Sequence, residues 1–124
     1  MKYLVMIYCD PALHDALPEG EYDAMMRGCL NHADELKAGG ALLDSQQLEA
    51  PATARTLRVR NQHASVVDGP FAETKEYLGG FNLIEAADID EATRIAAEFL
   101  WARVGAIEIR PVRDIGAVRR QVGA

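Results

Sequence analysis

The chain has 124 residues and a mass of 13.6 kDa, which is the size of one domain with its own hydrophobic core. Hydrophobic residues make up 49% of the chain and charged residues 26%, proportions that exclude a disordered or collagen-like protein. The formal net charge of −6 disfavours nucleic acid as a partner, because the phosphate backbone would repel the protein.

The sequence also argues against two further kinds of protein, membrane proteins and small domains held together by disulfide bonds. The longest apolar run, from Tyr3 to Cys9, is too short to span a bilayer and has no secretion-signal cleavage pattern. The chain has two cysteines, Cys9 and Cys29, which are too few for a disulfide framework and fit no metal-binding spacing. We therefore predict a cytoplasmic protein with reduced thiols, no metal, no cofactor and no membrane partner.

The first two elements have clear patterns. Lys2 to Tyr8 is apolar at both alternating sets of positions, as is typical of a strand with both faces covered, so we predict a central strand. A helix is predicted from Pro18 to Ala38, because acidic residues follow the proline and apolar residues recur at three- and four-residue steps until Gly39.

Strands dominate the middle of the chain. Ala41 to Leu48 begins apolar and turns polar before Pro51, which predicts a strand running out to an edge of the sheet. Thr56–Arg60 and His63–Val67 alternate on either side of Asn61-Gln62, so they are predicted to form a hairpin.

The last third predicts a strand, a helix and a strand. Phe81 to Glu85 is the strand, and Asp88 then caps a helix, with a glutamate three residues later, that runs to about Arg103. Ala106 to Arg110 alternates apolar and charged residues as the final strand. The tail from Arg113 to Ala124 receives no assignment.

The predicted order is β-α-β-(ββ)-β-α-β. It corresponds to an α+β fold, a ferredoxin-like split βαβ plan with two helices on one face of a mainly antiparallel sheet. Residues 1–112 would form this domain and residues 113–124 a C-terminal tail. Because the first strand is apolar on both faces, we expect a second copy of the chain to cover the other sheet face, giving a homodimer.

One long motif identifies a family. The run DGPFAETKEYLGGF, from Asp68 to Phe81, with MKYLVMIY before it and IEIRPV after it, resembles the DGPF branch of the YCII-related proteins. The resemblance covers Met1 to Val112. It implies a ferredoxin-like α+β fold and a homodimer whose two sheets pack as a dimeric α/β barrel, with a polar cleft between the subunits. One relative in the wider superfamily is a dehydrochlorinase acting on a chlorinated aromatic ring, and some members are encoded near sigma factors.

The resemblance also implies a catalytic histidine on the first helix with an aspartate nearby. That histidine position falls on Cys29, and the nearest histidine, His32, lies three residues later. We name His32 as a catalytic candidate, although a solvated histidine on the flank of a helix is the alternative. Cys29 lies on the apolar stripe of the helix, where a small core residue is favoured over a nucleophile.

Asp68 is the main catalytic candidate. It follows a predicted strand and precedes Gly69-Pro70, so its carboxylate could project into the cleft as a general base. Alternatively it accepts backbone hydrogen bonds and braces the turn. A functional carboxylate requires that Asp68→Asn abolish ligand turnover or binding with little change in melting temperature.

Six further residues are predicted to bind a ligand at the cleft. Thr74 and Lys75 could reach an anionic group, or they belong to a solvated loop. Glu108 and Arg110 share one face of the last strand, where they form either part of the cleft or ordinary surface charges. Tyr8 and Asp10, at the end of the first strand, are two more candidates. The full set is Tyr8, Asp10, Thr74, Lys75, Glu108 and Arg110.

The leading hypothesis is a small-molecule-binding homodimer that could act as an enzyme by acid–base chemistry in a cleft at the dimer interface. The alternative is a non-catalytic module that senses a ligand or binds a protein, with a possible link to transcriptional regulation. The sequence leaves both hypotheses open. An enclosed cleft containing convergent polar groups would favour the enzyme, and a flat apolar patch would favour the interaction module.

Overall fold

A four-stranded antiparallel sheet forms the centre of the computed structural model, which describes residues 1–124. Its spatial order is β2-β5-β1-β6, and β3 and β4 form a separate two-stranded sheet. The strands are β1 (Lys2–Cys9), β2 (Leu42–Gln47), β3 (Arg55–Arg60), β4 (His63–Asp68), β5 (Tyr77–Glu85) and β6 (Gly105–Pro111). The predicted α+β fold with a ferredoxin-like sheet is confirmed.

The position of β1 follows from its sequence. Its register with β5 and β6 places it between two antiparallel neighbours, as its apolar pattern predicts. Tyr3 and Val5 are almost completely buried in the core on the helix side of the sheet. Ile107 and Ile109 of β6 pack against the same core, so the charged residues of β6 lie on the opposite face.

Four helices accompany the sheet: α1 (Pro11–Asp15), α2 (Glu21–Ala38), α3 (Ile89–Ala96) and α4 (Ile115–Val122). The prediction that the first long helix starts at Pro18 is wrong by one turn. Gly20 has a left-handed backbone with φ of 81°, which breaks the helix before Glu21. At the other end, Gly39 is the C-cap as predicted. None of the helices is both long and apolar enough to cross a membrane.

The second predicted helix is shorter than expected. Asp88 accepts a hydrogen bond from the Glu91 amide at 2.8 Å, which confirms the predicted cap, but α3 ends at Ala96. Phe99 then has an extended backbone and is only 4% exposed. A 3-10 turn follows over Leu100–Val104. The helix stops because the chain turns Phe99 into the core.

Two short helices were not predicted. Asp10 caps α1 by accepting a hydrogen bond from the Ala12 amide at 3.0 Å, and Pro11 occupies the first helical position. Asp114 caps α4 in the unassigned tail through the Ala117 amide at 3.1 Å. Both signals are present in the sequence, but each helix has too few residues to show a periodic apolar stripe.

The predicted hairpin is confirmed and projects from the sheet as an arm, Arg55–Asp68. Its turn residues Asn61 and Gln62 both have positive φ, 51° and 66°, as a two-residue hairpin turn requires. Every strand residue of the arm is exposed except Thr56, which is half-buried. The arm makes no extensive contact with any other element.

The face of the main sheet opposite the core is named here the outer face. Its apolar centre consists of neighbouring residues of β1 and β5: Leu4, Met6, Phe81 and Leu83. Glu108 and Arg110 flank this centre, since β6 pairs them with Met6 and Leu4. Leu4, Phe81 and Leu83 are half-buried in the single chain. The homodimer expected to cover this face stays a prediction.

Candidate functional site

The structure places the predicted base, Asp68, on the arm. Its carboxylate lies 3.3 Å from the Arg55 Nε, and its side chain is 86% exposed. It does not contribute to the walls of the cavity described below. Its convergence with Glu108 and Arg110 is not seen within one chain, because those residues are on the outer face of the main sheet. The catalytic role of Asp68 stays a prediction.

The other predicted residues near strand 1 and the first helix are dispersed. His32 contacts Glu98 through Nε2 at 3.2 Å and meets the ring of Phe99 edge-on. Asp10 is buried and caps α1. Tyr8 pairs with Ala106, which places it on the outer face. These three side chains therefore lie in different parts of the fold, and the structure does not bring them together in one site.

The two predicted anion ligands lie in the loop before β5. The Thr74 hydroxyl donates to the Glu76 carbonyl, and Lys75 is exposed. Glu108 and Arg110 are also exposed, although they share one face as predicted. None of these four residues lines the cavity, and their ligand-binding roles stay predictions.

A cavity of about 170 Å³ lies between α2 and the core side of the sheet. It is named here the helix–sheet cavity. Elements β1, α1, α2, β2, β5 and the segment around Trp101 all contribute to it. Its walls comprise Ile7, Cys9, His14, Tyr22, Met26, Cys29, Leu30, Ala33, Ser45, Gln46, Gln47, Leu48, Tyr77, Gly79, Gly80, Asn82, Phe99 and Trp101.

One wall of the cavity is aromatic. The imidazole of His14 stacks on the Trp101 indole, with centroids 5.9 Å apart and planes 11° from parallel. Tyr22 packs against both rings at 5.9 and 5.6 Å. The Nε2 atom of His14 is buried and has no hydrogen-bond partner. A buried polar atom without a partner is uncommon and costs stability, so a group that gave this nitrogen a hydrogen bond would stabilise the protein.

The thiols and one phenol of the cavity stay neutral. Burial raises the pKa of the Cys9 thiol. Burial also raises the pKa of Cys29, although hydrogen bonds from the Leu100 and Trp101 backbone partly oppose it. Burial raises the pKa of Tyr77, and so do nearby Cys9, Tyr22 and Asp15. These groups can therefore donate hydrogen bonds to a ligand without carrying a charge.

The cavity wall includes no aspartate, glutamate, lysine or arginine. Its polar groups are amides, hydroxyls, thiols and the imidazole of His14. No group of three or more histidine, cysteine or acidic residues in the chain is arranged to hold a metal ion. The arrangement can surround a ring and make hydrogen bonds to it, and its wall contains one imidazole, that of His14.

Sequence reasoning missed most of this wall. His14 belongs to α1, whose start is marked by the Asp10-Pro11 pair, an N-cap followed by proline at the first helical position. The sequence pattern predicts Asp10 as a ligand-binding residue at the end of the first strand and predicts no helix there. Trp101 was placed inside a continuous helix, whereas the break at Phe99 sends it into the cavity. Cys29 is buried as predicted, and it also lines the cavity.

Both cysteines are free, which gives a direct test. Thiol titration under denaturing, non-reducing conditions should count both of them. In the folded protein their alkylation at pH 7 should be much slower, because burial raises both thiol pKa values and little thiolate is present. The rate should increase with pH toward those raised values. A count of zero in the denatured chain would mean a disulfide and contradict the prediction.

Comparison with known proteins agrees with this architecture. A 5-chloro-2-hydroxyhydroquinone dehydrochlorinase from Burkholderia phenoliruptrix AC1100, solved in complex with 2,5-dihydroxybenzoquinone, superposes with a TM-score of 0.52 at 16% identity. The match covers 91% of this chain and 94% of that one, and it shows a shared fold.

The sequence comparisons define the family. An uncharacterized protein of Rhizobium meliloti (strain 1021) is 36% identical over 114 residues, covering 90% of this chain and 92% of that protein. The family model for the YCII-related domain matches residues 1–116. The finer assignment to the DGPF branch stays a prediction. On these matches, the chain belongs to the family of proteins with a YCII-related domain.

Proposed function

We propose that the protein binds an uncharged molecule with a single ring in the helix–sheet cavity. In this proposal His14 forms a hydrogen bond with the ligand and exchanges a proton with it. The observation that carries the proposal is the buried Nε2 of His14, which has no partner in the protein and belongs to a residue of the cavity wall. A rotation of the His14 ring that brings this atom to the cavity would let a ligand hydroxyl or carbonyl give it its missing hydrogen bond.

The size of the cavity limits the ligand. An apolar cavity of about 150 Å³ holds one benzene ring, and the helix–sheet cavity has about 170 Å³. The stacked His14 and Trp101 rings offer a flat aromatic surface, which favours a planar ring by offset stacking or edge contact. A single ring with small substituents fits both the volume and the wall.

The charge of the wall limits the ligand further. A buried ion without a counter-charge is strongly disfavoured, and no lining side chain carries a formal charge while His14 is neutral. Hydroxyl and carbonyl groups suit the neutral polar atoms, which include Asn82 (only 5% exposed) and Tyr77. A phenol or quinone therefore fits better than a carboxylate or a phosphate.

Acid–base chemistry is the reaction type we propose. An imidazole can accept the proton of a bound hydroxyl and return it to another atom of the ring. The solved dehydrochlorinase of similar fold, which was crystallised with 2,5-dihydroxybenzoquinone, supports a ring-shaped ligand. The predicted homodimer remains part of the proposal, but the cavity lies within one chain and needs no interface.

A non-catalytic ligand sensor is the second candidate. One observation favours it: no carboxylate in the cavity wall is available to orient His14 or to stabilise its charged form. Histidine bases commonly have such a partner. In a sensor, the bound ring itself would be released chemically unchanged.

Titration with hydroquinone tests the proposal, with 4-hydroxybenzoate as the charged analogue of similar size. We expect hydroquinone to bind and 4-hydroxybenzoate to bind at least about tenfold more weakly, since a buried carboxylate would have no partner. His14→Phe keeps an aromatic ring but removes Nε2, and it should weaken hydroquinone binding by about tenfold, the value of one hydrogen bond. Mass spectrometry of hydroquinone after incubation in D2O then distinguishes the two candidates: an enzyme incorporates deuterium into the ring faster than buffer alone does, and a sensor does not.

The matched control is His63→Phe, the same substitution at an exposed residue of the arm, which should leave the affinity unchanged. Asp68→Asn separates the two site hypotheses, because binding or turnover collapses if Asp68 is the base and persists if His14 is. Equal affinity of wild type and His14→Phe for hydroquinone would refute the cavity proposal.

A further inference from the structure

Asn82 is a buried polar residue whose side chain has no hydrogen-bond partner in the protein. It lies in β5 and is only 5% exposed. Its carboxamide takes part in none of the side-chain hydrogen bonds of the chain. The amides of neighbouring β2 donate elsewhere, Gln46 to Asp44 and Gln47 to the Met26 sulfur. A buried carboxamide without a partner costs stability, so Asn82 destabilises the protein when the cavity is empty.

The carboxamide opens into the helix–sheet cavity. Asn82 pairs with Val5, a core residue on the helix side of the sheet, so its side chain projects to that side. Gly80, the next residue of β5 on this face, has no side chain, and both Asn82 and Gly80 line the cavity. The amide atoms are not completely enclosed, since the completely enclosed polar atom without a partner is Nε2 of His14. The remaining surface of these atoms therefore faces the cavity.

The other groups around Asn82 do not satisfy its carboxamide. Ser45 lies opposite Asn82 on β2 and also lines the cavity, but its side chain is exposed to solvent. Across the cavity α2 contributes Cys29 and Ala33. A methyl group forms no hydrogen bond, and the Cys29 sulfur is a weak partner that already accepts from two backbone amides. A molecule in the cavity is therefore the available partner for both amide atoms.

The chemistry of a carboxamide defines this partner. An asparagine side chain places a donating NH2 group beside an accepting oxygen. A group that satisfies both at once must present an acceptor and a donor on neighbouring atoms, as adenine does when asparagine binds it through two hydrogen bonds. The cavity of about 170 Å³ has room for one ring, so the acceptor and the donor must belong to that ring or be attached to it.

We infer that Asn82 is the specificity-determining residue of the helix–sheet cavity, and that it selects a ring with a donor and an acceptor on neighbouring atoms, as in a lactam N–H beside its carbonyl. This inference rests on the proposed function, because it takes the cavity as the binding site. It adds an orientation to that function, since two hydrogen bonds to one carboxamide fix how the ring lies in the cavity.

The isomers 2-pyridone and 4-pyridone provide a matched pair of probes for titration. Both are uncharged single rings with one N–H and one carbonyl, but these groups are neighbours in 2-pyridone alone. We expect the protein to bind 2-pyridone at least about tenfold more tightly, the value of one additional hydrogen bond. Asn82→Leu keeps a side chain of similar size without polar atoms, and it should reduce this preference to less than about threefold by weakening 2-pyridone binding.

The matched control is Asn31→Leu, the same substitution at an exposed residue of α2 that does not line the cavity, and it should keep the preference. Urea denaturation tests for a structural role of Asn82. The midpoint of Asn82→Leu should stay the same or increase, because an apolar side chain replaces an unpartnered amide. A lower midpoint with an unchanged preference for 2-pyridone would make Asn82 a structural residue and overturn the inference.

Titration with hydroquinone distinguishes failure of this inference from failure of the proposed function. If the wild type binds hydroquinone but binds both pyridones equally, Asn82 does not select the ligand and the proposed function still holds. If hydroquinone and both pyridones all fail to bind, the cavity is not the binding site and both proposals are wrong.

Discussion

Replacing Gly105 by alanine is expected to destabilise the protein by about 3 kcal/mol, the upper part of the range for overpacking a well-filled interior. The backbone of Gly105 is extended, with φ of 179°, so any residue could adopt its conformation. A Cβ atom, however, would overlap the carbonyl oxygen of Tyr8 in the neighbouring strand. That oxygen belongs to the backbone of the central strand and cannot rotate away as a side chain would.

Chemical denaturation measures this effect. The urea midpoint of Gly105→Ala should decrease without a change in the slope, as for a pure loss of stability. Gly39→Ala is the matched control, because φ at Gly39 is −78° and a Cβ there would make only an ordinary contact with the Glu35 carbonyl at 3.5 Å. The control should change stability by less than about 0.5 kcal/mol. Equal midpoints for the two variants would contradict the close approach of β6 to β1.

The strand pattern was predictable because each strand has a local signal. The apolar run of β1 on both alternating sets of positions predicts a central strand, and β1 does lie between β5 and β6. The arm has its own local signal in Asn61-Gln62, where the turn needs positive φ. Such signals involve residues close in sequence, so they predict a strand or a turn without knowledge of the rest of the fold.

The cavity was not predictable in the same way, because its wall comes from six separate parts of the chain. The aromatic wall combines His14 of α1, Tyr22 of α2 and Trp101 of the 3-10 turn. No spacing rule links these three positions. The break at Phe99 is decided by tertiary packing, which overrides a sequence that is helical in pattern up to Arg103.

The two ends of the most recognisable motif lie in different places, one at the base of the arm and one in the cavity wall. Asp68-Gly69 ends the arm, where the Gly69 amide donates to the Ala54 carbonyl at 2.7 Å and closes the base of the hairpin. Gly69 has φ of 107°, a conformation open to glycine. Further along the motif, Gly79 and Gly80 form part of the cavity wall. A long motif therefore combines turn residues with residues that shape the cavity.

Replacing Gly79 by alanine is expected to destabilise the protein by about 2 kcal/mol and to weaken ligand binding in the cavity. A Cβ atom at this position would overlap the Sγ atom of Cys9, while the next nearest atoms, the Cys9 Cβ and the Ile7 carbonyl oxygen, are each at 3.8 Å. The conflict therefore involves one sulfur atom. Gly79 and Cys9 both line the cavity, so a displaced sulfur changes its shape.

The double variant Gly79→Ala/Cys9→Ala tests this explanation. Cys9→Ala removes the sulfur and leaves a Cβ at the distance of an ordinary contact, so the added methyl group takes the vacated space. We expect the double variant to be within about 0.5 kcal/mol of Cys9→Ala alone, which means a favourable coupling energy of about 1.5 kcal/mol in the double-mutant cycle. Additive losses in urea denaturation would show that Gly79 is required for another reason, such as the bulge that β5 makes opposite Ile7 and Tyr8.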